Sequence, residues 1–234
     1  MSDSRSVLVL GGATGVGAAV ADRLAREGWA VTVTVHRRVP SAPLDRVRTI
    51  SCDLNDATSV DALARGFDEA PTAVVHCATT FERRPLARAG RGPDPATGVH
   101  IGGFDRLVRR LDATGRRPRH AVLVGSAGAT RGAAGLTRYA GHKAAMRGYV
   151  AGLAAEWGAD GTVNLIEPGP VDTALASDSA SSWRRDADRW AHPVRIAPPA
   201  AVATVVAFVL GSAAGNLSGA VLPVDGGLMA GASP

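Results

Sequence analysis

Residues 6–27 read SVLVLGGATGVGAAVADRLARE, and their pattern is typical of one class of α/β fold. The apolar run SVLVL predicts a buried parallel strand, and the amphipathic residues 16–27 predict a helix. The glycine-rich turn between them lets the backbone approach a phosphate placed at the helix N-terminus. Strand, glycine turn and helix in this order predict a dinucleotide-binding fold. The turn residues that we assign to binding are Gly11, Thr14, Gly15, Val16 and Gly17.

Strand-like apolar runs and helix-like amphipathic runs alternate from this segment to the end of the chain. The later apolar runs predict strands at residues 30–35, 47–52, 72–77, 120–125, 162–166 and 220–224. One of the longer helix-like runs ends near residue 67, and three others cover residues 99–114, 136–157 and 200–212. We find no internal repeat or linker. The alternation therefore predicts one doubly wound, Rossmann-type α/β domain, residues 1–234, with a seven-stranded parallel sheet flanked by helices.

Composition and charge exclude several other classes of protein. The formal net charge is +5, but the arginines are scattered and no nucleic-acid motif is present, so we expect no nucleic-acid partner. Cys52 and Cys77 end two predicted strands and have no metal-ligand or disulfide spacing, so we expect no metal site. Residues 1–7 leave no room for a signal peptide, and the longest apolar run, residues 200–210, is too short to span a bilayer. We therefore expect a cytoplasmic protein without a membrane partner.

The residues after the second strand indicate which dinucleotide binds. An acidic residue about 20 positions after the glycines holds a ribose 2′-hydroxyl, whereas an arginine there accommodates a 2′-phosphate. Arg37 occupies this position, Arg38 follows it, and the first acid beyond the strand, Asp45, is too far along the chain. The pattern favours NADP(H), and the alternative is an ordinary basic loop.

Other residues follow predicted strands at the sheet edge where ligands bind. Asp53 and Leu54 follow the third strand, and Ala78 follows the fourth. Asp53 either contacts the adenine or, together with the acid at Asp56, caps the next helix. We assign Asp53, Leu54 and Ala78 to the cofactor site.

The segment SAGATRGAAGLTRYAGHK, residues 126–143, carries the chemistry that we predict. Tyr139 and Lys143 are four residues apart and would lie on one helical face, where an ammonium would lower the pKa of the phenol. Ser126, directly after the fifth strand, could hold a substrate oxygen against the same phenol. A surface pair with the same spacing is the alternative. Because Lys143 is the single lysine among 26 basic residues, we favour the functional interpretation.

With these motifs in order, the chain resembles the short-chain dehydrogenase/reductase family over essentially its whole length. The glycine turn of that family matches residues 10–17, with a leucine in place of the first threonine. Its P-G-x-x-x-T element matches residues 168–173, and its L-x-V-D-G-G ending matches residues 222–227. The resemblance also implies a homotetramer or homodimer.

The same resemblance implies roles for individual residues. Tyr139 would be the acid/base, Lys143 would lower its pKa and bind the nicotinamide ribose, and Ser126 would orient the substrate carbonyl or hydroxyl. The residues implied on the nicotinamide side of the cofactor are Pro168, Gly169, Val171 and Thr173. Independently of the resemblance, residues 173–199 have no sustained periodicity, which is typical of a lid or a disordered stretch, and their two tryptophans favour a substrate-binding lid.

Two positions depart from the family pattern. Its N-N-A-G after the fourth strand is HCAT at residues 76–79, and its further catalytic asparagine corresponds to His100. In the family this position helps to hold a water-linked proton path from the lysine, partly through a main-chain carbonyl. His100 keeps the carbonyl, and an imidazole with a pKa near 6.5 could pass protons itself. We include His100 among the catalytic candidates, with a structural histidine as the alternative.

These observations predict an NADP(H)-dependent oxidoreductase that transfers a hydride between the nicotinamide and a carbonyl/alcohol pair of a small organic substrate, as a ketoreductase. Two alternatives remain on the same scaffold. One is an epimerase or dehydratase, and the other is a non-catalytic NADP-binding regulator.

Overall fold

Seven strands pair into one parallel sheet in the order β3-β2-β1-β4-β5-β6-β7, which confirms the predicted fold class. The computed structural model describes residues 5–37, 47–88, 94–132, 134–175 and 195–230. The strands are β1 (Ser6–Leu10), β2 (Ala30–Val35), β3 (Val47–Ser51), β4 (Ala73–His76), β5 (His120–Val124), β6 (Thr162–Pro168) and β7 (Val221–Val224). The helices are α1 (Gly15–Arg26), α2 (Ala57–Arg65), α3 (Gly103–Asp112), α4 (Gly128–Arg131), α5 (Thr137–Trp157) and α6 (Pro199–Leu210).

Two apolar cores cover the two faces of the sheet. Successive residues of a strand point to opposite faces, so neighbours on β1 enter different cores. Leu8 and Leu10 pack with α2, α3 and α5 on one face. Val7 and Val9 pack with α1 and α6 on the other. Because both faces are covered at the inner strands, β1, β4, β5 and β6 are mostly apolar in sequence, whereas the edge strands β3 and β7 are partly exposed.

The order in which successive strands join the sheet reverses between β1 and β4. β2 and β3 lie on one side of β1, and β4 to β7 lie on the other. β1 pairs with β2 on one side and with β4 on the other, so the connections after these strands diverge. A crevice forms at the carboxyl ends of strands at such a switch point, and ligands bind there in open α/β sheets. The glycine turn that follows Leu10 and the segment that follows His76 line this crevice.

The helix predicted at residues 99–114 begins differently from the expectation. It opens with a π-helical turn at Gly98–Gly102, in which the Gly103 N–H bonds to the Gly98 carbonyl, and α3 follows. A side chain at Gly103 would place its Cβ 2.6 Å from the Leu54 carbonyl oxygen, so only glycine permits this close approach. The strand predicted at residues 162–166 was also too short, because β6 continues through Pro168.

The predicted lid falls largely outside the described residues. Of residues 173–199, the structure describes 173–175 and 195–199, and a parallel bridge joins Val171 to Ala197 beside these two ends. The lid therefore stays a prediction. Within the described part of the chain, no helix combines the length and apolarity needed to cross a bilayer.

A buried ion pair ties α5 to the end of β6. Arg147 donates two hydrogen bonds to the Glu167 carboxylate, with Nε 2.7 Å from Oε1. The Glu167 side chain is 3% exposed and that of Arg147 is 43% exposed. We expect Arg147→Ala to lower the free energy of unfolding by about 2 kcal/mol, because a buried carboxylate loses its partner and the half-exposed arginine limits the loss. Chemical denaturation measures this.

The matched control is Arg26→Ala, which removes an exposed pair with Asp22 one helical turn away. This change should alter the unfolding free energy by less than about 0.5 kcal/mol. Equal effects of the two substitutions would contradict the assignment of Glu167 as a buried charge that depends on Arg147.

Candidate active site

One cavity of about 800 Å³ at the carboxyl edge of the sheet brings the predicted site residues together. Every predicted residue that the structure describes lines it, and Arg38 lies outside the described residues. The lining residues are Gly11, Thr14, Gly15, Val16, Gly17, Arg37, Asp53, Leu54, Ala78, His100, Ser126, Tyr139, Lys143, Pro168, Gly169, Val171 and Thr173. Their placement agrees with the sequence analysis, and their roles stay predictions.

The glycine turn fits a dinucleotide phosphate. Gly11 has a φ of +77°, and a Cβ there would lie 2.6 Å from the Ala78 Cα. A Cβ at Gly17 would lie 2.1 Å from the Gly11 carbonyl oxygen, so both positions need glycine. The first turn of α1 contains no acid, and Thr14 at its N-cap makes no side-chain capping bond. The N-terminus of α1 therefore presents N–H groups and a positive dipole end to the cavity.

Arg37 lines the cavity at the position predicted for the adenosine. Its Nε donates to the His36 Nε2 across 3.1 Å. The His36 Nδ1 in turn lies 3.8 Å from an oxygen of Asp53. Asp53 does not cap α2, because its carboxylate accepts from the Asn55 N–H. Asp56 is the N-cap and accepts from the Thr58 N–H, so the capping alternative holds for Asp56 alone.

Tyr139 and Lys143 lie one turn apart on α5, as predicted, but Lys143 does not act on the phenol as expected. Lys143 is 2% exposed, and its Nζ donates to the Val124 carbonyl oxygen across 2.8 Å. Burial lowers the pKa of Lys143 to about 8, opposed by the nearby Cys77 thiol. Burial raises the pKa of Tyr139, opposed by a side-chain hydrogen bond with Ser126. The predicted lowering of the Tyr139 pKa is therefore wrong for the protein alone, because desolvation dominates and the Lys143 ammonium bonds to β5.

His100 is a buried, neutral histidine. It has no exposed surface, and burial followed by the charge of Lys143 lowers its pKa to about 3. The premise that its pKa lies near 6.5 is therefore wrong. Its Nε2 lies 3.0 Å from the Thr79 hydroxyl and within hydrogen-bond distance of the Thr80 backbone. This lowered pKa favours the neutral imidazole of His100 near neutral pH.

The His100 carbonyl already has a protein donor. His76 is fully buried, and its Nε2 donates to that oxygen across 2.9 Å. Burial lowers the pKa of His76 to about 4, so the ring is neutral and this bond uses its single N–H. The sequence marked His76 as a departure from the family pattern but assigned it no role, because its partner is 24 residues away.

Three residues near Tyr139 were not predicted from the sequence. The Phe81 ring packs edge-on against that phenol with centroids 5.0 Å apart. His142 and Asp94 line the same end of the cavity, with the His142 Nε2 3.1 Å from the Thr97 hydroxyl. Phe81 and Asp94 follow strand β4 in a segment without periodicity, so no sequence signal pointed to them. Among the described residues, no cluster of three or more histidine, cysteine or acidic side chains could hold a metal ion.

Comparisons with known proteins agree with this geometry. A family model described as enoyl-(acyl carrier protein) reductase matches residues 11–229. The 3-oxoacyl-[acyl-carrier-protein] reductase MabA of Mycobacterium tuberculosis H37Rv is 30% identical, covering 96% of this chain and 93% of that protein. The short-chain reductase protein NovJ of Streptomyces niveus is 34% identical, covering 97% and 95%. A solved short-chain dehydrogenase from Burkholderia cenocepacia J2315, in complex with NADP, is 29% identical with a TM-score of 0.83, covering 97% and 98%.

Proposed function

The chain belongs to the short-chain dehydrogenase/reductase family, and we propose that it is an NADP(H)-dependent ketoreductase. The observation that carries the proposal is the convergence of Ser126, Tyr139 and Lys143 on the cavity that also holds the glycine turn. This arrangement supports a proton donor and a phosphate site that share one ligand-sized space. The substrate class that we propose is a 3-oxoacyl compound, because the reductases MabA and acetoacetyl-CoA reductase of Allochromatium vinosum are among its relatives.

The proposed roles follow from the positions of the side chains. A bound nicotinamide supplies the hydride to the carbonyl carbon. The Ser126 hydroxyl, which is hydrogen-bonded to Tyr139, orients the carbonyl oxygen toward the phenol. The Tyr139 O–H gives its proton to that oxygen, so the products are the alcohol and a phenolate. Lys143, as a buried ammonium, stabilises the phenolate that this transfer leaves behind.

The experiment that tests this proposal follows NADPH oxidation at its near-ultraviolet band with a panel of 3-oxoacyl thioesters and simple ketones. Stoichiometric loss of NADPH and formation of a hydroxy product support the ketoreductase. Product formation without net loss of NADPH would reject it in favour of an epimerase or dehydratase. Tight NADPH binding with no product on the whole panel would reject it in favour of a regulator.

NADPH preference is proposed to depend on Arg37. Its guanidinium lines the adenosine end of the cavity and would pair with a 2′-phosphate. We expect Arg37→Ala to weaken NADPH binding by about 30-fold, the equivalent of one strong charge-assisted bond, and to leave NADH binding unchanged. Fluorescence titration with each cofactor measures the two dissociation constants.

The control for Arg37 is again Arg26→Ala, since Arg26 is 77% exposed and pairs with Asp22 on α1. This variant should bind both cofactors as the parent protein does. A loss of affinity for NADH equal to the loss for NADPH would show that Arg37 supports the loop and does not recognise the phosphate.

Assembly and location stay predictions. We propose a homodimer or homotetramer, and light scattering coupled to size-exclusion chromatography measures its mass. The proposed cytoplasmic location is tested by fractionation of the cells that express the protein.

A further inference from the structure

A second cavity, of about 450 Å³, lies at the amino edge of the sheet. Its lining residues come from the starts of β1, β2 and β3 and from the segments that lead into β4 and β5. Because the strands are parallel, these starts share one edge, and the candidate active site lies at the opposite edge. The proposed reduction gives this second cavity no role, so an inference about it is independent of the proposed function.

The floor of this cavity is the sheet face that α2 and α3 cover. Thr32 pairs with Leu8 on one side and with Arg48 on the other, so the three side chains lie on the same face. Leu8 packs in the core with α2 and α3, whereas Arg48, on the edge strand β3, is exposed. This row of side chains therefore leads from the core to an arginine that lines the cavity.

Two loops form the walls of the cavity. The loop after α2 contributes residues 67 and 69–72, and the loop before β5 contributes Arg117 and Arg119. Hydrogen bonds join the two loops, because the Arg119 N–H donates to the Thr72 carbonyl across 3.0 Å and the Arg116 guanidinium donates to the Phe67 carbonyl. The loops hold each other through their own bonds, so the cavity is pre-formed.

Positive charge is in excess around the cavity. Its described lining residues include a single carboxylate, that of Glu69, and three arginines: Arg48, Arg117 and Arg119. Arg117 is engaged elsewhere, since it donates to Asp160 across 3.1 Å. Arg48 makes no hydrogen bond or ion pair with any part of the chain that the structure describes. The structural contacts therefore leave at least one guanidinium at the cavity for another partner.

We propose that this cavity binds a small phosphate-bearing anion, of the size of a diphosphate or a nucleotide, with Arg48 and Arg119 as its charged ligands. Its volume falls within the range of about 300–1,000 Å³ that is typical of ligand pockets. A guanidinium can donate two parallel hydrogen bonds to phosphate oxygens. Because the two arginines come from different elements, they favour an anion with more than one charge. The Ser6 and Thr72 hydroxyls, which also line the cavity, supply further donors.

Isothermal titration with inorganic pyrophosphate tests this proposal. The parent protein is titrated in saturating NADPH, so that the glycine turn of the larger cavity is filled and the heat reports a second site. We expect Arg48→Gln and Arg119→Gln each to weaken pyrophosphate binding about tenfold, since each removes one charge-assisted contact from an exposed position. The NADPH dissociation constant and the midpoint of thermal unfolding should not change, because both side chains are exposed and lie away from the larger cavity.

A substitution of opposite sign separates ligand binding from a structural role. Glu69→Gln removes the carboxylate beside the site and should strengthen pyrophosphate binding about threefold, the size of an exposed charge interaction. The matched control is Arg26→Gln, which removes the same charge from a side chain that is 77% exposed and pairs with Asp22 on α1. This control should bind pyrophosphate as the parent does.

A titration with ADP identifies the source of the phosphate. Tighter binding of ADP than of pyrophosphate would support a nucleotide site, in which the walls also contact the nucleoside. Equal affinities would support a site for the diphosphate group alone.

Three results would overturn the proposal. The first is equal pyrophosphate affinity in the parent and in both arginine variants, and the second is an equal loss in Arg26→Gln, which would indicate an effect of net charge alone. The third is no heat with either pyrophosphate or ADP, which would leave Arg48 as a charge that protects an edge strand. Failure of the ketoreductase is distinguishable, because it appears as absent NADPH oxidation, and the variants locate the pyrophosphate site whether or not NADPH binds.

Discussion

Tyr139→Phe is expected to lower kcat by about 1000-fold while NADPH binds with unchanged affinity. The substitution removes the hydroxyl that would give its proton to the substrate oxygen, and it retains the ring that packs against Phe81. Removal of a general acid typically costs about 100- to 10,000-fold in rate. Steady-state turnover and fluorescence titration of NADPH measure the two effects separately.

The chain offers a matched control for this substitution. Its second tyrosine, Tyr149, lies on the same helix, and its hydroxyl donates to Asp105. Tyr149→Phe removes an identical hydroxyl that does not line the cavity, so kcat should stay within about twofold of the parent value, because only contacts made in the transition state change the rate of the chemical step. Full activity of Tyr139→Phe would reject the proposed acid and, with it, the mechanism.

Lys143→Met is expected to lower kcat/KM by about 100-fold, because a preorganised donor near developing negative charge is typically responsible for an effect of this size. Methionine has a similar length and fills the buried site, so the change removes mainly the charge and its bond to the Val124 carbonyl. Steady-state kinetics with NADPH as the varied substrate give kcat/KM. Lys143→Arg should not restore it, since the site is 2% exposed and a guanidinium is larger than an ammonium.

The pH dependence of the parent protein tests the same residue. Burial lowers the pKa of Lys143 to about 8, so its ammonium loses its proton as the pH rises through this value. Because kcat/KM reports the free enzyme, it should fall above about pH 8, and this alkaline limb should be absent from Lys143→Met. A limb that persists in Lys143→Met would assign the titration to another group.

Local patterns in the sequence predicted most of the strands and helices of the fold. The five inner strands are largely buried and apolar, which made them recognisable in the sequence, whereas the edge strands β3 and β7 are partly exposed. The errors in the predicted strands lie at their ends. The end of β6 was missed because Glu167 and Pro168 resemble a turn in the sequence, whereas both residues pair with β7 in the sheet. The π-helical turn at Gly98–Gly102 was not predicted, because apolar periodicity in the sequence does not distinguish it from the α-helix that follows.

The sequence by itself determined the order of the elements and predicted many of the residues that line the cavity, because glycines, the Tyr139–Lys143 spacing and strand ends act over a few residues. Only the tertiary structure decided the pKa values of those side chains. Burial raises the pKa of Tyr139 and lowers those of Lys143 and His100, and burial depends on every element around the cavity. The His76–His100 and Thr97–His142 contacts join residues 24 and 45 positions apart, a distance over which sequence periodicity carries no information.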